Sequence, residues 1–480
     1  MREQELESLI ESILRQKTEK QTLELKACHD GFPKRIYDTL SAFSNQDSGG
    51  IIIFGIAEKT GYEVVGVYDI VDAQKKAMEA CGQMEPKVRA VFTGCEFRGK
   101  MVLSAEIPGV DSSLRPVFYA GVGRIKGSFI RVGDADELMS EYEIYSYEAF
   151  RRRIRDELRP VPEAKIELFD QNRLAAYLSA VKRDRPNLAQ NVSDADILEL
   201  MGVTVNGVPT LAGVLTFSFY PQTWFPQLSI TAVSLPGTEI GETNEEGARF
   251  LDNQRITGAV PDMLEAGVEF VRKNSRTKTI IDETGKRVDR PEYPLPAVRE
   301  AILNALLHRD YSIYSENTPV NIEMYRDRMT VISKGGLYGG GSVNQLGKGR
   351  PETRNPVLAN MLEVLSVTEN RYSGIPTIYR ELQKAGLPEP EFEIRRGSFT
   401  ITFRNHSDPS GDEIDKKDLP AAVLVFCRTP RTREELIAFT GKSRYYTMSG
   451  IVMPLVAQGK LRMTIPGTPK SPRQQYVTVQ

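Results

Sequence analysis

Glu300, Asn304 and His308 recur at four-residue spacing inside "REAILNALLHRDY", a stretch otherwise rich in Ala, Ile and Leu. On a helix each such step drifts about 40°, so the three side chains fall within roughly 80° of arc and form one polar stripe. Burying a carboxylate, an amide or an imidazole without a partner costs about 1–3 kcal/mol each. The stripe therefore faces a bound ligand, another polar segment or water. In a purely structural alternative, Arg309, Arg371 or backbone groups satisfy Glu300 and His308.

A second group with chemical potential lies at the C-terminal end. From Arg428 onward the chain carries nine Lys/Arg against two acids, a local excess of +7 in a protein whose net charge is −2. Such an excess is a candidate polyanion-binding face. "LPAAVLVFCRT" and "TREELIAFTG" read as short helices, the second opened by a Thr432/Glu435 capping box. Gly441 supplies a turn, "KSRYYTMSGIVMPLVAQG" a third helix, and "KLRMTIPGTPKSPRQQYVTV" two strands around a basic tip. This order predicts a winged helix. Its third helix presents Lys442, Ser443, Arg444 and Tyr446 near the N-terminus, where a groove-inserted helix reads bases, with Arg433 on the second helix. Lys470 and Arg473 at the tip suit phosphate contacts. A winged helix used only for protein contacts is the alternative.

The elements that position these groups need several domains, because 480 residues exceed one hydrophobic core. Apolar content of 40% and charged content of 26% describe an ordinary soluble protein. No apolar run approaches the roughly 18 residues of a membrane span, so no membrane partner is expected. The four cysteines (Cys28, Cys81, Cys95, Cys427) lack metal-ligand spacing and read as reduced thiols of a cytoplasmic protein. With three histidines in all, a histidine-rich metal site is close to excluded.

An α+β multidomain fold is expected. Its parts are residues 1–151, an α+β connector at 165–290, a further α+β domain at 291–405, a polar linker at 406–417 and the winged helix at 418–480. "TLELKAC" and "IIIFGIAE" read as strands, and "TLAGVLTFS" and "LSITAVSLPG" as strands of the connector. Asn45 and the Gly49–Gly50 pair belong to a tight turn feeding a strand buried on both faces.

"TEKQTLELK", "IYDTLSAFSNQDSGGIIIFGIAEKTGYEVVGV", "RPVFYA" and "GSFIRVGD" resemble the Schlafen-type Alba-like (AlbA_2) domain, a nucleic-acid-associated fold. The resemblance implies a nuclease-type site at Glu19, Glu24, Lys26 and Glu58, where family nucleases carry Asp at the last position. Clustered carboxylates there would hold Mg²⁺ or Mn²⁺ and activate water, with Lys26 offsetting phosphate charge. "YPLPAVREAILNALLHRDY", "VNIEMYRDRMTVISKGGL", "RNPVLANMLEVL" and "ENRYSGIPTIYREL" are similar to the C-terminal ATPase-like domain of RecG-like proteins, a divergent relative of the gyrase/histidine-kinase (GHKL) ATPases. There the E-x-x-x-N helix is the N box, which puts Mg²⁺ on Asn304 and the attacking water on Glu300. The resemblance places ATP with Mg²⁺ among Glu300, Asn304, His308, Arg309, Ser333, Gly335, Gly336, Ser373 and Gly374, with Ser333 where the superfamily has its adenine-binding Asp. No P-loop is present: "VNQLGKGR" and "FTGKS" both depart from G-x-x-x-x-G-K-[ST].

The reading is a DNA-binding, transcriptional-regulator-like protein with a nucleotide-binding ATPase-like domain, binding DNA rather than RNA and forming a homo-oligomer. The rivals are a Schlafen-like metal-dependent endonuclease, as in phage defence, and an oligomeric scaffold with degenerate sites.

Overall fold

The computed structural model describes all residues except 19–20, 282–286, 340–342, 344–345, 348–351, 369–373, 396, 406–418, 429, 466–473 and 480. Expected site residues Glu19, Ser373, Lys470 and Arg473 lie outside the described set.

The N-terminal unit is built on a four-stranded sheet in the order Leu23–Lys26, Gly50–Phe54, Lys100–Ile107, Val91–Phe97, the first pair parallel and the rest antiparallel. Apolar side chains alternate between two cores. Leu25, Ile53 and Val102 pack with Leu6, Ile10 and Ile13 of helix Glu3–Gln16. Ile52, Phe54 and Leu103 pack with helices Tyr37–Ser44 and Ile70–Gly82 on the other side. Both faces are covered, which is why "IIIF" reads as an unbroken apolar run. Gly49 has φ +60°, and a β-carbon on it would overlap Ile107 O. Asn45 is buried, with its amide donating to Val117 O (2.8 Å) and Phe129 O (3.1 Å) and accepting from Val117 N (2.7 Å). One amide thus satisfies backbone groups of two segments that no long ladder serves.

The second unit carries a six-stranded sheet in the order Asp252–Ile256, Ile230–Ser234, Val320–Met324, Arg328–Lys334, Ser398–Arg404, Glu391–Arg395. Only the Ile230–Ser234/Val320–Met324 pair is parallel. Helices Val260–Asn274 and Leu295–Leu307 pack on this sheet, and Gly374–Lys384 packs on Leu295–Leu307. One hydrophobic core runs from Val161 to Phe403. The boundary expected near residue 290 therefore passes through the middle of a packed unit. "TLAGVLTFS" is a correction. It forms the buried helix Leu211–Phe217, because the Thr210 hydroxyl caps it by accepting from Gly213 N (3.0 Å) and every side chain is enclosed, so period 2 is never tested by solvent.

Residues beyond 418 form a small unit with its own core of Val423, Leu436, Ile451, Val452, Leu455 and Tyr476. Helices Leu419–Phe426 and Arg433–Thr440 precede a π-helical turn, Tyr446–Val452, that continues as Met453–Ala457. Its antiparallel sheet runs Arg431–Thr432, Gln475–Thr478, Leu461–Met463. The Thr432/Glu435 capping box is formed, and Gly441 closes the helix at φ +62°. Among the described residues, no helix is long and apolar enough to cross a membrane.

Asn45→Ala takes the acceptor from buried Val117 N and a donor from Phe129 O, while the Ser41 hydroxyl still donates to Val117 O. The substitution should cost the N-terminal unit about 2–4 kcal/mol, read as a fall of several degrees in its thermal unfolding midpoint. A midpoint within a degree of wild type would contradict the tie.

Candidate functional site

The stripe helix spans Leu295–Leu307, with His308 as its C-cap. Asn304 donates its amide to Glu300 Oε1 and Glu300 O, both at 2.9 Å. Facing them is the start of helix Gly374–Lys384. A β-carbon on Gly374 would overlap Glu300 Oε1 and lie 3.3 Å from Asn304 Nδ2. Glycine is needed here for close approach. A carboxylate beside a helix N-terminus is favoured by about 0.3–1 kcal/mol through the helix dipole. Glu300, Asn304 and Gly374 are thus brought together.

The remaining residues of that set serve a neighbouring cluster. His308 is partly buried, with Nδ1 3.2 Å from Thr353 Oγ1. Burial, and then the charge of Arg354, push its imidazole down to about 4. Arg309 is buried, donating to Ser315 O (3.1 Å) and Thr318 O (2.6 Å), so it braces its own loop. Ser333 is buried in the ladder opposite Phe399. Gly335, at φ +107°, lies against Asp310: a β-carbon would come 3.1 Å from Asp310 N. Asp310 is fully buried, accepting from Arg354 Nη1 (3.1 Å) and Ser312 N (2.8 Å). Arg354 also donates to Gly336 O at 3.2 Å. The carboxylate nearest the glycine motif is therefore already spoken for, and Ser333 offers none.

Sequence reasoning missed Asp310, Arg354 and Asn355. Asn355 is buried and donates to Leu307 O and Arg309 O, both at 2.8 Å, closing the end of the stripe helix. The only signal was "RNP": an Asn before a helix-opening Pro reads as an ordinary cap, yet its side chain turns to a different helix.

In the N-terminal unit, Glu24 and Lys26 lie on one strand, joined by an ion pair of 2.5 Å. The other Glu24 oxygen meets Arg131 Nη2 at 2.8 Å, and Arg131 Nη1 meets Asp136 Oδ1 at 2.8 Å. The Arg131 side chain is 1% exposed and stacks over Phe43 at 5.1 Å. Burial works against its charge, but Asp136 and Glu24 outweigh that, and its pKa is raised. Asp38 is raised by burial and by the charge of Asp136. Glu58 is exposed in the turn Glu58–Thr60. Among the described residues no three His, Cys, Asp or Glu side chains group as metal ligands. Of the candidate metal ligands, Glu24 is bound to an internal guanidinium and Glu58 stands in an exposed turn, so the described part of the set is not gathered around a cation.

In the C-terminal unit, Lys442, Ser443, Arg444 and Tyr446 are exposed together with Tyr445, which is 81% exposed. Arg433 is partly covered at the start of its helix.

Two measurements check this geometry. Because the folded His308 is held neutral, its contribution is present above pH 6.5 and lost as pH falls through 4. His308→Gln should flatten the acid limb of a stability–pH curve, and an unchanged limb would refute the assignment. At the other site, Glu24→Gln should lower the melting of the N-terminal unit by about 3 kcal/mol, by leaving Arg131 short of a partner. Mn²⁺ should leave the wild-type midpoint where it is, whereas a Mn²⁺-dependent rise absent from Glu24→Gln would show a metal site.

Residues 19–140 match the family "Schlafen, AlbA_2" and residues 317–403 the family "Putative ATP-dependent DNA helicase recG C-terminal" (HATPase_c_4). The second match begins after the stripe helix. None of the curated proteins compared matches the chain. The DIP2311 protein from Corynebacterium diphtheriae aligns over 98% of this chain and 96% of its own, at 18% identity and a TM-score of 0.39. The N-terminal domain of a RecG-related protein from Nitrosomonas europaea aligns over 28% of this chain and 92% of its own, at 22% identity and a TM-score of 0.23. The chain carries an N-terminal Schlafen AlbA_2 domain and a RecG-type HATPase_c_4 domain toward its C-terminal end.

Proposed function

We propose that the protein is a DNA-binding regulator whose terminal unit is a winged helix and whose six-stranded unit binds a nucleotide. The observation that carries the DNA reading is the exposed group Lys442, Ser443, Arg444 and Tyr446 just after the Gly441 turn. The element order supports it: helix, short strand, helix, turn, helix and two paired strands. The AlbA_2 and RecG-type matches point the same way. Phosphate contacts from the basic side chains would dominate affinity, and Tyr446 would add a surface for base or sugar packing.

For the nucleotide, the Asn304 amide oxygen and the Glu300 carboxylate are the hard oxygen donors suited to Mg²⁺ on a triphosphate. Bound ATP with Mg²⁺ would supply a phosphoanhydride and a Lewis acid. The protein's part is to hold Glu300 oriented through Asn304, with glycine at 374 letting the helix start lie close to that carboxylate. Base recognition would have to rest on backbone groups near Gly335 and Gly336. The endonuclease alternative is disfavoured at Glu24, one of its three carboxylates, which Lys26 and the buried Arg131 already hold.

Binding of fluorescent duplex DNA, followed across salt concentrations, tests the first claim. Lys442→Ala/Arg444→Ala/Arg473→Ala should weaken binding at least tenfold and flatten the log–log salt slope by about 2–3. Unchanged affinity and slope would remove the claim. For the second, ATP with Mg²⁺ should raise the wild-type unfolding midpoint but not that of Asn304→Ala. Equal behaviour of the two proteins would dissociate Asn304 from any nucleotide.

A further inference from the structure

The short segment 352–358 reaches two different parts of the molecule, its middle one and its two ends the other. Toward the end of the stripe helix, Thr353 meets His308, Arg354 pairs with Asp310, and Asn355 holds Leu307 O and Arg309 O. Toward the element that leaves the N-terminal unit, Glu352 pairs with Arg153 at 2.5 Å. Then Val357 N and Leu358 N donate to the two carboxylate oxygens of Glu157, at 2.9 and 2.7 Å.

Glu157 is wholly buried and caps helix Pro356–Val364 from a segment about two hundred residues earlier in the chain. The first N–H groups of a helix have no partner within it, and here a remote carboxylate takes two of them. Burial pushes the Glu157 carboxyl up to about 7 despite these two bonds, so the place is costly for a charge and has little slack. The same element is docked at further points. Tyr145 packs on Tyr314 at 5.1 Å, its hydroxyl held within the segment by Asp156 (2.7 Å). Phe150 packs edge-on against Tyr338 at 5.0 Å, and a β-carbon on Gly397 would come 2.8 Å from Tyr142. The exposed Arg153–Glu352 pair adds little. The buried bonds of Glu157, Arg354 and Asn355 carry the joint.

We propose that residues 352–358 are a strap that makes the end of the stripe helix and the segment 141–158 one cooperative element, so that displacement at either is felt at the other. The N-terminal unit then senses the state of the Glu300–Asn304 helix through this joint. This stands whether or not a nucleotide is the ligand there, because it concerns the joint alone.

Hydrogen exchange read by mass spectrometry on the full chain tests it. Glu157→Ala should speed exchange of amides in residues 303–311 about tenfold, and Asn355→Ala should do the same for residues 141–158. Amides of the strand Gly50–Phe54 should keep wild-type rates in both. Glu157→Gln, which keeps one acceptor oxygen, should give a smaller change in the same places and covers the case in which the alanine variant fails to fold. Changes confined to residues 356–360 in the Glu157 variants, and to residues 304–310 in Asn355→Ala, would overturn the proposal.

Discussion

The buried pair of Asp310 and Arg354 is the constraint around which the second unit is arranged. Two charges with side-chain exposures of 0% and 7% are costly to desolvate and are held by their mutual pairing and further hydrogen bonds. Asp310 has Ser312 N and Arg354; Arg354 has Asp310, Gly336 O and the Tyr338 face at 5.3 Å. Satisfying them fixes three things at once: where the stripe helix ends, how the chain leaves strand Arg328–Lys334, and where helix Pro356–Val364 begins. Asp310 N also bonds Lys334 O at 2.8 Å, joining helix end to strand end. Removing either charge would strand the other in a low-dielectric interior, at a cost of about 3–5 kcal/mol.

This arrangement explains what the polar stripe faces. Glu300 and Asn304 look at the start of helix Gly374–Lys384, whereas His308 looks at Thr353. The middle of the helix therefore places Glu300 and Asn304 against the start of another helix, and its C-terminal end is held by residues 353–355. Arg131 makes a parallel point in the N-terminal unit. There the buried Arg131 guanidinium joins Glu24 and Asp136, again a charge held by partners from separate strands.

Much of the fold was legible in local pattern. The apolar run "IIIF", the Gly49 turn, the Thr432/Glu435 box and the order of elements after Pro420 each rest on a short-range rule. Leu211–Phe217 was not legible as a helix, because a fully enclosed segment of seven residues shows no period. The unity of the second sheet was hidden as well: Ile230–Ser234 finds its parallel partner ninety residues away, and no composition shift marks such pairing. At the candidate site, Glu300, Asn304 and Gly374 could be read from spacing and resemblance. Asp310, Arg354, Asn355 and Glu157 could not, since a charged residue bound for the interior looks in sequence like any solvated one.

The central claim is that the terminal unit touches DNA, and photo-crosslinking reports that contact most directly. Irradiating the full chain on duplex DNA and locating the adducts by mass spectrometry should place them on the peptide containing Tyr445 and Tyr446, whose side chains stand out beside Lys442 and Arg444. Adducts confined to residues 19–140, with none on that peptide, would contradict the account.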